Sequence, residues 1–209
     1  NIANVGLSLA LGGREVKLLE LTSAYGVFAN GGVRSDPVAI LKVTDSQGHK
    51  LYEYKPHEGK KVLSEEVAYL ISHILLDNNA RSGAFGTSSF LNVSGHSEVS
   101  VKTGTTNDYR DNWTIGYTPE YLVASWVGNN DNSPMKKVAS GVSGASPIWN
   151  RIIKEALSGK PNTPFTVPEG IIQLDVDNIS GYPSHDGFEA KEALIVRGTQ
   201  PTGNDPVQD

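Results

Sequence analysis

The sequence predicts an α+β fold, an antiparallel sheet with flanking helices, and three observations support this class. Apolar residues recur at three- and four-residue steps in three segments, which is the pattern of a helix with one buried face. Three runs rich in β-branched and aromatic residues follow one another at short spacing, which is typical of adjacent antiparallel strands. The chain has 209 residues, 38% hydrophobic and 20% charged, which is enough to bury a core.

The three predicted helices each carry a start or stop signal. The first covers residues 16–28 and ends at Asn30-Gly31-Gly32, a glycine-containing C-cap. The second runs from Ser64, a good N-cap, to about Asp77. The third begins at Ser146-Pro147 and ends at Gly159. Its apolar residues are expected to share one face; they are Ile148, Trp149, Ile152, Ile153 and Ala156.

The remaining segments are predicted as strands or loops. A hairpin is expected from runs 38–43 and 50–54, because the polar turn between them contains glycine. Residues 78–95, rich in Asn, Ser and Gly, indicate a long loop. The predicted strands of the main sheet are 98–103, 113–117 and 121–128. A linker over 161–168, a strand over 171–176 and a mobile tail beyond residue 198 complete the chain. We therefore expect a domain portion at 1–159 and a partly flexible extension at 160–209.

Composition excludes several classes of function. The net charge is −5 and no basic cluster occurs, so a nucleic-acid partner is not expected. No apolar run approaches the ~20 residues of a membrane helix, so no membrane contact is expected from this chain itself. The absence of cysteine removes disulfides, zinc thiolates and thiol nucleophiles. The five histidines lack metal-binding spacing, so no metal site is expected. No cofactor is expected either. Because the chain begins with Asn1, we expect a fragment or a processed piece.

The candidate site is a Lys-Thr-Gly triplet at the end of a predicted strand, within residues 101–106 (VKTGTT). Lys102 offers a cation to a substrate carboxylate, and Thr103 and Thr105 offer hydroxyl groups. Gly104 lets a ligand approach the strand edge, where an extended peptide can add as another strand. The N–H of Thr105 is the best candidate to stabilise an oxyanion. By itself such a triplet is more often a solvated turn, so the surrounding sequence decides.

Several separated blocks around the triplet make the interpretation specific. They are residues 9–16 (LALGGREV), 24–32 (AYGVFANGG), 102–108 (KTGTTND), 111–119 (DNWTIGYTP), 126–128 (WVG) and 131–135 (DNSPM). Together, from about residue 6 to about residue 157, the chain resembles the later part of the transpeptidase domain of class A penicillin-binding proteins, the bifunctional peptidoglycan synthases. The residue before the triplet departs from the usual pattern, because Val101 stands where a small residue commonly precedes the lysine.

The resemblance implies a partial penicillin-binding/β-lactamase-like fold and a serine-type D-Ala-D-Ala transpeptidase, which cross-links peptidoglycan stem peptides through an acyl-enzyme. It assigns Lys102 and Thr105 to catalysis, and substrate binding to Lys102, Thr103, Gly104, Thr105 and Thr106. The implied partners are stem peptides, β-lactams and the remainder of the transpeptidase domain. The implied location is extracytoplasmic, in the cell envelope, with a membrane anchor and a glycosyltransferase domain outside this chain.

The nucleophile is expected outside this chain. The family's Ser-x-x-Lys and Ser-x-Asn motifs should precede residue 9, so the chain alone is predicted to be inactive. One Ser-x-x-Lys string occurs at Ser133-Pro134-Met135-Lys136, but the serine and lysine content predicts about one such match by chance. The alternative function, from another class, is a non-catalytic wall-binding or scaffolding module derived from such a domain. The sequence upstream of Asn1 would discriminate the two.

Three further patterns have ordinary structural interpretations. The glycine-rich tract at 140–146 lacks the Gly-Lys-Ser/Thr of a phosphate loop, so close backbone packing is expected. Asp108, Asp111 and Asp131 lack the spacing of an EF-hand and are expected to cap turns. The apolar stripes at 18–28 and 148–157 are expected to pack against the sheet rather than to bind a partner.

Overall fold

The computed structural model describes residues 6–135, 144–184 and 189–203. Its helices are α1 (Leu18–Ala29), α2 (Glu65–Leu76), α3 (Asn78–Phe85) and α4 (Ala145–Leu157), and short 3-10 turns cover Gly6–Leu11 and Asn107–Tyr109. Its strands are β1 (Val33–Arg34), β2 (Lys42–Thr44), β3 (Lys50–Glu53), β4 (Lys60–Lys61), β5 (Ser100–Thr105), β6 (Asp111–Tyr117), β7 (Leu122–Gly128), β8 (Ile171–Asp177) and β9 (Ala190–Val196). This mixture of helices with antiparallel sheets confirms the predicted α+β class.

A three-stranded antiparallel sheet in the order β5-β6-β7 forms the centre of the structure. Two adjacent residues of β6 show how its faces are covered, because successive side chains of a strand point to opposite faces. Gly116 lies against the indole of Trp149 in α4. Tyr117 contacts Ser72 in α2 and Tyr25 in α1. Helix α4 therefore covers one face of the sheet, and α1 and α2 cover the other.

The hydrophobic core lies mainly between the sheet and α4. Trp149 and Ile153 are fully buried there, against Val99 and Val101. Ile148 and Ile152 are 49% and 47% exposed, so the predicted apolar face of this helix is only partly buried. Of the large apolar side chains of α4, those of Trp149, Ile153 and Leu157 are buried, because residues four positions apart lie on the same face of a helix.

The predicted long loop at 78–95 is wrong over its first eight residues, which form α3. Asp77 ends α2 and also caps α3, since its Oδ1 accepts a hydrogen bond of 2.9 Å from the N–H of Ala80. Asn, Ser and Gly have low helix propensity, so the composition of this segment concealed the helix. The N-cap and the contacts of Arg81 with neighbouring elements stabilise this helix despite its low intrinsic propensity.

Other boundaries differ from the predictions by a few residues. Helix α1 begins at Leu18 rather than residue 16, and β5 is shifted by two residues to Ser100–Thr105. Gly144, rather than Ser146, precedes α4, and the Ser146 hydroxyl is buried in a 2.9 Å hydrogen bond with Thr114. The hairpin of β2 and β3 is present but shorter than predicted. The pairing of β1 with β4 was not predicted, because strands of two residues leave no periodic pattern.

The C-terminal part of the chain forms a hairpin of β8 and β9, of which only the first strand was predicted. Before this hairpin, the ring of Phe165 lies 5.9 Å from that of Tyr117, edge to face. The division of the chain at residue 159 stays a prediction, and residues 204–209 of the predicted tail lie outside the described residues. Within the described residues, no helix combines the length and apolarity needed to cross a bilayer.

Candidate active site

The predicted site lies on β5, at the edge of the central sheet. Among the described residues β5 pairs with β6 alone, in a register that sets Val101 opposite Gly116 and Thr105 opposite Asn112. Ser100 and Val101 are buried, whereas Lys102 and Thr105 are exposed and Thr103 and Gly104 are half-buried. The strand therefore begins in the core and ends at the surface, and the Lys-Thr-Gly triplet occupies the open part.

The buried start of β5 is fixed by hydrogen bonds to α2. Ser100 Oγ donates to the carbonyl of Ser72 at 2.7 Å. Ser72 Oγ donates to Ala68 O at 2.9 Å and lies 3.0 Å from the hydroxyl of Tyr117. Burial raises the pKa of Tyr117 to about 12, so this phenol stays neutral at physiological pH. The start of the strand thus has a defined position relative to α2.

The main-chain groups of Thr103 and Thr105 point to the open edge. Arg81 contacts the carbonyl of Val101 from the side opposite β6. Main-chain groups along an antiparallel strand alternate between its two sides, so those of Thr103 and Thr105 share the side of Val101. An extended ligand beside β5 would find these N–H and C=O groups unpaired by β6. The geometry is that of an edge open to strand addition.

Lys102 is exposed, and its Nζ donates a 2.8 Å hydrogen bond to the carbonyl of Thr103. The ammonium group therefore lies at the open edge, beside the residue predicted to bind the same carboxylate. Gly104 is next to it, with space around its Cα. A Cβ at Gly104 would lie 3.6 Å from Trp113 Cβ, an ordinary contact, so the packing of the described residues does not require glycine at this position.

Thr105 is held by a buried amide that sequence reasoning did not single out. Asn112 is fully buried, and its Nδ2 donates to Thr105 Oγ1 at 3.1 Å. Its Oδ1 accepts the N–H of Ala145, the first residue of α4, at 2.6 Å. Because Nδ2 uses an acceptor position of the hydroxyl, the Thr105 proton is left for another acceptor. Asn112 is seven residues from Thr105 in the sequence, so the contact between them follows only from the register of β5 with β6.

Thr106, predicted to bind substrate, has its hydroxyl in the turn that follows β5. Thr106 Oγ1 accepts from the N–H of Asp111 at 2.8 Å and donates to Asp111 Oδ2 at 3.1 Å. Asp111 Oδ1 also accepts a 2.9 Å hydrogen bond from Trp126 Nε1. Between them Asp108 and Tyr109 adopt positive φ angles of 59° and 53°. The hydroxyl of Thr106 therefore closes a tight turn, and a role for this residue in binding stays a prediction.

Arg81 was also missed by sequence reasoning, and it lies where the open edge begins. Its guanidinium donates to the carbonyls of Leu75 at 2.7 Å, Leu76 at 3.2 Å and Val101 at 3.4 Å. Nε donates to Asn78 Oδ1 at 2.8 Å. Burial lowers the pKa of Arg81 from its ordinary value. One side chain thus joins the end of α2, the start of α3 and β5.

Ser133 does not have the environment of a helical Ser-x-x-Lys nucleophile. Ser133 and the two residues after it lie outside regular secondary structure, and Lys136 lies outside the described residues. Ser133 Oγ donates to Asp131 Oδ1 at 2.7 Å and accepts from Asn129 Nδ2 at 3.0 Å. The hydrogen bonds from Ser133 hold the pKa of the exposed Asp131 carboxyl below its ordinary value. These contacts describe a capped turn.

The other patterns in the sequence have structural contacts of their own. Residues 140–143 of the glycine-rich tract lie outside the described residues, and Gly144 directly precedes α4. Asp108 lies 3.7 Å from the guanidinium of Arg110 at the surface. In the part of the chain that the structure describes, no three His, Cys, Asp or Glu side chains are grouped so that they could hold a metal ion.

Comparison of the sequence with protein families gives a match to the penicillin-binding protein transpeptidase domain over residues 3–154. Penicillin-binding protein 2D of Bacillus subtilis strain 168 is 34% identical over 200 residues, which is 93% of this chain and 28% of that protein. Penicillin-binding protein 1A of Neisseria lactamica is 33% identical over 172 residues, covering 80% of this chain and 21% of that protein. The chain therefore spans about a quarter of the length of these curated relatives.

Solved structures give the same result. The crystal structure of penicillin-binding protein 1A from Haemophilus influenzae superposes with a TM-score of 0.81 at 28% identity, over 94% of this chain and 34% of that one. The PonA1 protein from Mycobacterium tuberculosis in complex with penicillin V matches with a TM-score of 0.64 at 25% identity, over 76% of this chain and 43% of that one. Both the resemblance and the fold predicted from the sequence are confirmed: this chain belongs to the transpeptidase family of penicillin-binding proteins and is homologous to penicillin-binding proteins 1A.

Proposed function

We propose that this chain supplies the substrate-binding strand of a serine D,D-transpeptidase that cross-links peptidoglycan stem peptides. The observation that carries the proposal is the open edge of β5, where a lysine, two threonines and outward main-chain groups lie together in a transpeptidase domain. A stem peptide ending in D-Ala-D-Ala has an extended backbone and a terminal carboxylate, and this edge is complementary to both. β-Lactams carry a carboxylate as well and would bind to the same groups.

Lys102, Thr103 and Thr105 have distinct roles in this proposal. The ammonium of Lys102 and the hydroxyl groups of Thr103 and Thr105 hold the terminal carboxylate by charge-assisted hydrogen bonds. The hydroxyl of Thr105 is suited to this, because Asn112 already donates to it and its own proton is left to give. The outward N–H of Thr105 stabilises the negative charge that develops on the carbonyl oxygen under attack.

The reaction is an acyl transfer through a serine outside this chain. The serine oxygen attacks the carbonyl of the penultimate D-Ala, the bond to the terminal D-Ala breaks, and that D-Ala leaves with a proton on its amine. An amine of a neighbouring stem peptide then attacks the ester. The serine is regenerated and the new amide bond is the cross-link. Residues 102–105 orient the substrate in both steps, whereas the base that activates the serine belongs to the remainder of the domain.

We place this reaction outside the cytoplasm, at the cell wall, with membrane anchoring through a segment outside this chain. Fluorescent penicillin tests the function directly. We expect covalent labelling of the full-length protein and none of the isolated 209 residues, in whose described part no helix carries a Ser-x-x-Lys motif. Mass spectrometry should locate the label upstream of residue 1. Labelling of the isolated chain, or a full-length protein that penicillin does not acylate, would overturn the proposal, and the second result would favour a non-catalytic wall-binding module.

A further inference from the structure

We propose that Arg81 closes one end of the docking edge and thereby restricts this site to peptides with a free carboxyl terminus. Arg81 would be a specificity-determining residue, because it would exclude any residue that follows the terminal carboxylate. This inference rests on the proposed function, since it takes from it the positions of the carboxylate and of the attacked carbonyl.

The guanidinium of Arg81 is held in place by contacts that do not involve the substrate-binding residues. Three of its hydrogen bonds go to Leu75 O, Leu76 O and Asn78 Oδ1, at 2.7, 3.2 and 2.8 Å. These acceptors belong to the end of α2 and the start of α3. The fourth contact, at 3.4 Å, is to the carbonyl of Val101 on β5. Because the first three bonds fix the planar group, it lies beside Val101 whether or not a peptide is bound.

The direction of the bound peptide follows from the proposed roles. The terminal carboxylate is held by Lys102 and by the hydroxyl groups of Thr103 and Thr105, and the carbonyl under attack lies at the outward N–H of Thr105, at the far end of this set. The peptide therefore runs from Thr105 towards Val101, antiparallel to β5. A peptide with one more residue would advance by about 3.4 Å past Thr103, towards a Val101 carbonyl that Arg81 already occupies.

The positive charge of Arg81 also favours the shorter peptide, in addition to the steric block. Arginine stays protonated in proteins even where burial lowers its pKa, so Arg81 places a positive charge at the end of the edge. A terminal carboxylate is attracted to that charge, whereas the neutral amide of a longer peptide is not. Asp77, whose carboxylate interacts with Arg81, is itself bonded to the N–H of Ala80 as the cap of α3. The longer peptide therefore loses both space and attraction.

The test compares two donor peptides on the full-length protein, one ending in D-Ala-D-Ala and one extended by a C-terminal glycine. The measured quantity is the ratio of their kcat/KM values, because a general folding defect lowers both values together. For Arg81→Ala we expect the preference for the shorter peptide to fall by about 10–100-fold. Arg81→Lys keeps the charge but loses the fork of hydrogen bonds, so we expect an intermediate ratio. The matched control Arg151→Ala, at an exposed position of α4, should keep the wild-type ratio.

Two results would overturn the inference, and they are distinguishable. If penicillin acylates the wild-type protein but Arg81→Ala and Arg81→Lys both keep the full preference, Arg81 does not set this specificity and the proposed function stands. If penicillin does not acylate the wild-type protein, the proposed function fails and this inference fails with it. If Arg81→Ala does not fold, Arg81→Lys and Arg81→Gln decide the question by the same ratio.

Discussion

The two ends of β5 belong to one continuous strand but lie in different environments, one buried and one open to solvent. Ser100 and Val101 are buried, with a hydrogen bond to α2 on one side of the sheet and packing against Trp149 on the other. Lys102 and Thr105 are exposed, and the Lys102 ammonium donates to the carbonyl of the next residue, Thr103. The buried end fixes where the strand lies, so the open end can keep its polar groups for a ligand. Substitutions at the two ends should therefore affect different quantities.

The largest difference in effect is expected between a glycine of β6 opposite the buried end of β5 and a glycine in the open end of β5. Gly116 lies opposite Val101, and a Cβ there would be 2.3 Å from Trp149 Cζ2 and 2.9 Å from the carbonyl of Ser100. Gly116→Ala should lower the free energy of unfolding of the transpeptidase domain by about 3 kcal/mol, because the core cannot absorb the methyl group. Denaturant unfolding measures this change.

The matched variant is Gly104→Ala at the open end. Its Cβ meets Trp113 at an ordinary distance, so we expect the free energy of unfolding to change by less than about 0.5 kcal/mol. Acylation of the full-length protein by penicillin should instead become slower, because the methyl group narrows the approach to the edge. An equal loss of stability in the two variants would contradict the division of β5 into two environments.

The buried end also predicts a dependence of stability on alkaline pH. The pKa of Tyr117 is raised by burial from 10.0 to about 12, so the folded state favours the neutral phenol. Below pH 10 the phenol is neutral in both the folded and the unfolded state, so its effect on stability is fully present. Between pH 10 and 12 the phenol ionises in the unfolded state but not in the folded state, so the free energy of unfolding falls. The loss amounts to about 2–3 kcal/mol in the free energy of unfolding.

This effect is checked by measuring the thermal unfolding of the wild-type domain and of the Tyr117→Phe variant between pH 8 and pH 12. The variant loses the contact with Ser72, whose hydroxyl still donates to Ala68 O, so at neutral pH it should be less stable by about 1 kcal/mol. The difference from wild type should shrink above pH 10 and then reverse. Parallel curves for the two proteins would show that Tyr117 does not stay neutral in the folded state.

At the open end, Lys102→Gln should slow acylation of the full-length protein by penicillin by roughly 10–100-fold, since a charge-assisted hydrogen bond to a carboxylate is lost. The melting temperature should stay unchanged, because the ammonium is exposed and, among the described residues, it bonds to the adjacent carbonyl of Thr103. Lys154→Gln, at an exposed position of α4, is the charge-matched control and should leave acylation as it is. Equal rates in the two variants would remove Lys102 from the carboxylate site.

The sequence predicted the open end of β5 better than the contacts that position it. Lys102–Thr105 stand together in a recognisable motif, and the strands around them have clear β-branched and aromatic composition. Asn112 and Arg81 could not be predicted, because their contacts with Thr105 and Val101 depend on strand register and on a helix of poor propensity. Likewise, the exposure of Ile148 and Ile152 depends on how α4 is rotated over the sheet, which periodicity alone does not define.

The smallest expected difference is between substitutions of two neighbouring threonines, Thr105 and Thr106, at the end of β5. Thr106→Val removes a hydroxyl that bonds both the N–H and the carboxylate of Asp111, so it should cost about 1 kcal/mol of folding free energy. Thr105→Val should slow acylation by penicillin several-fold more than Thr106→Val does, because the proton of the Thr105 hydroxyl is the one left for a ligand. Thr105→Ser keeps this proton and the contact with Asn112, and should restore most of the rate. If Thr106→Val slows acylation as much as Thr105→Val, then the substrate reaches further along the edge than residue 105, and Thr106 binds it as the sequence predicted.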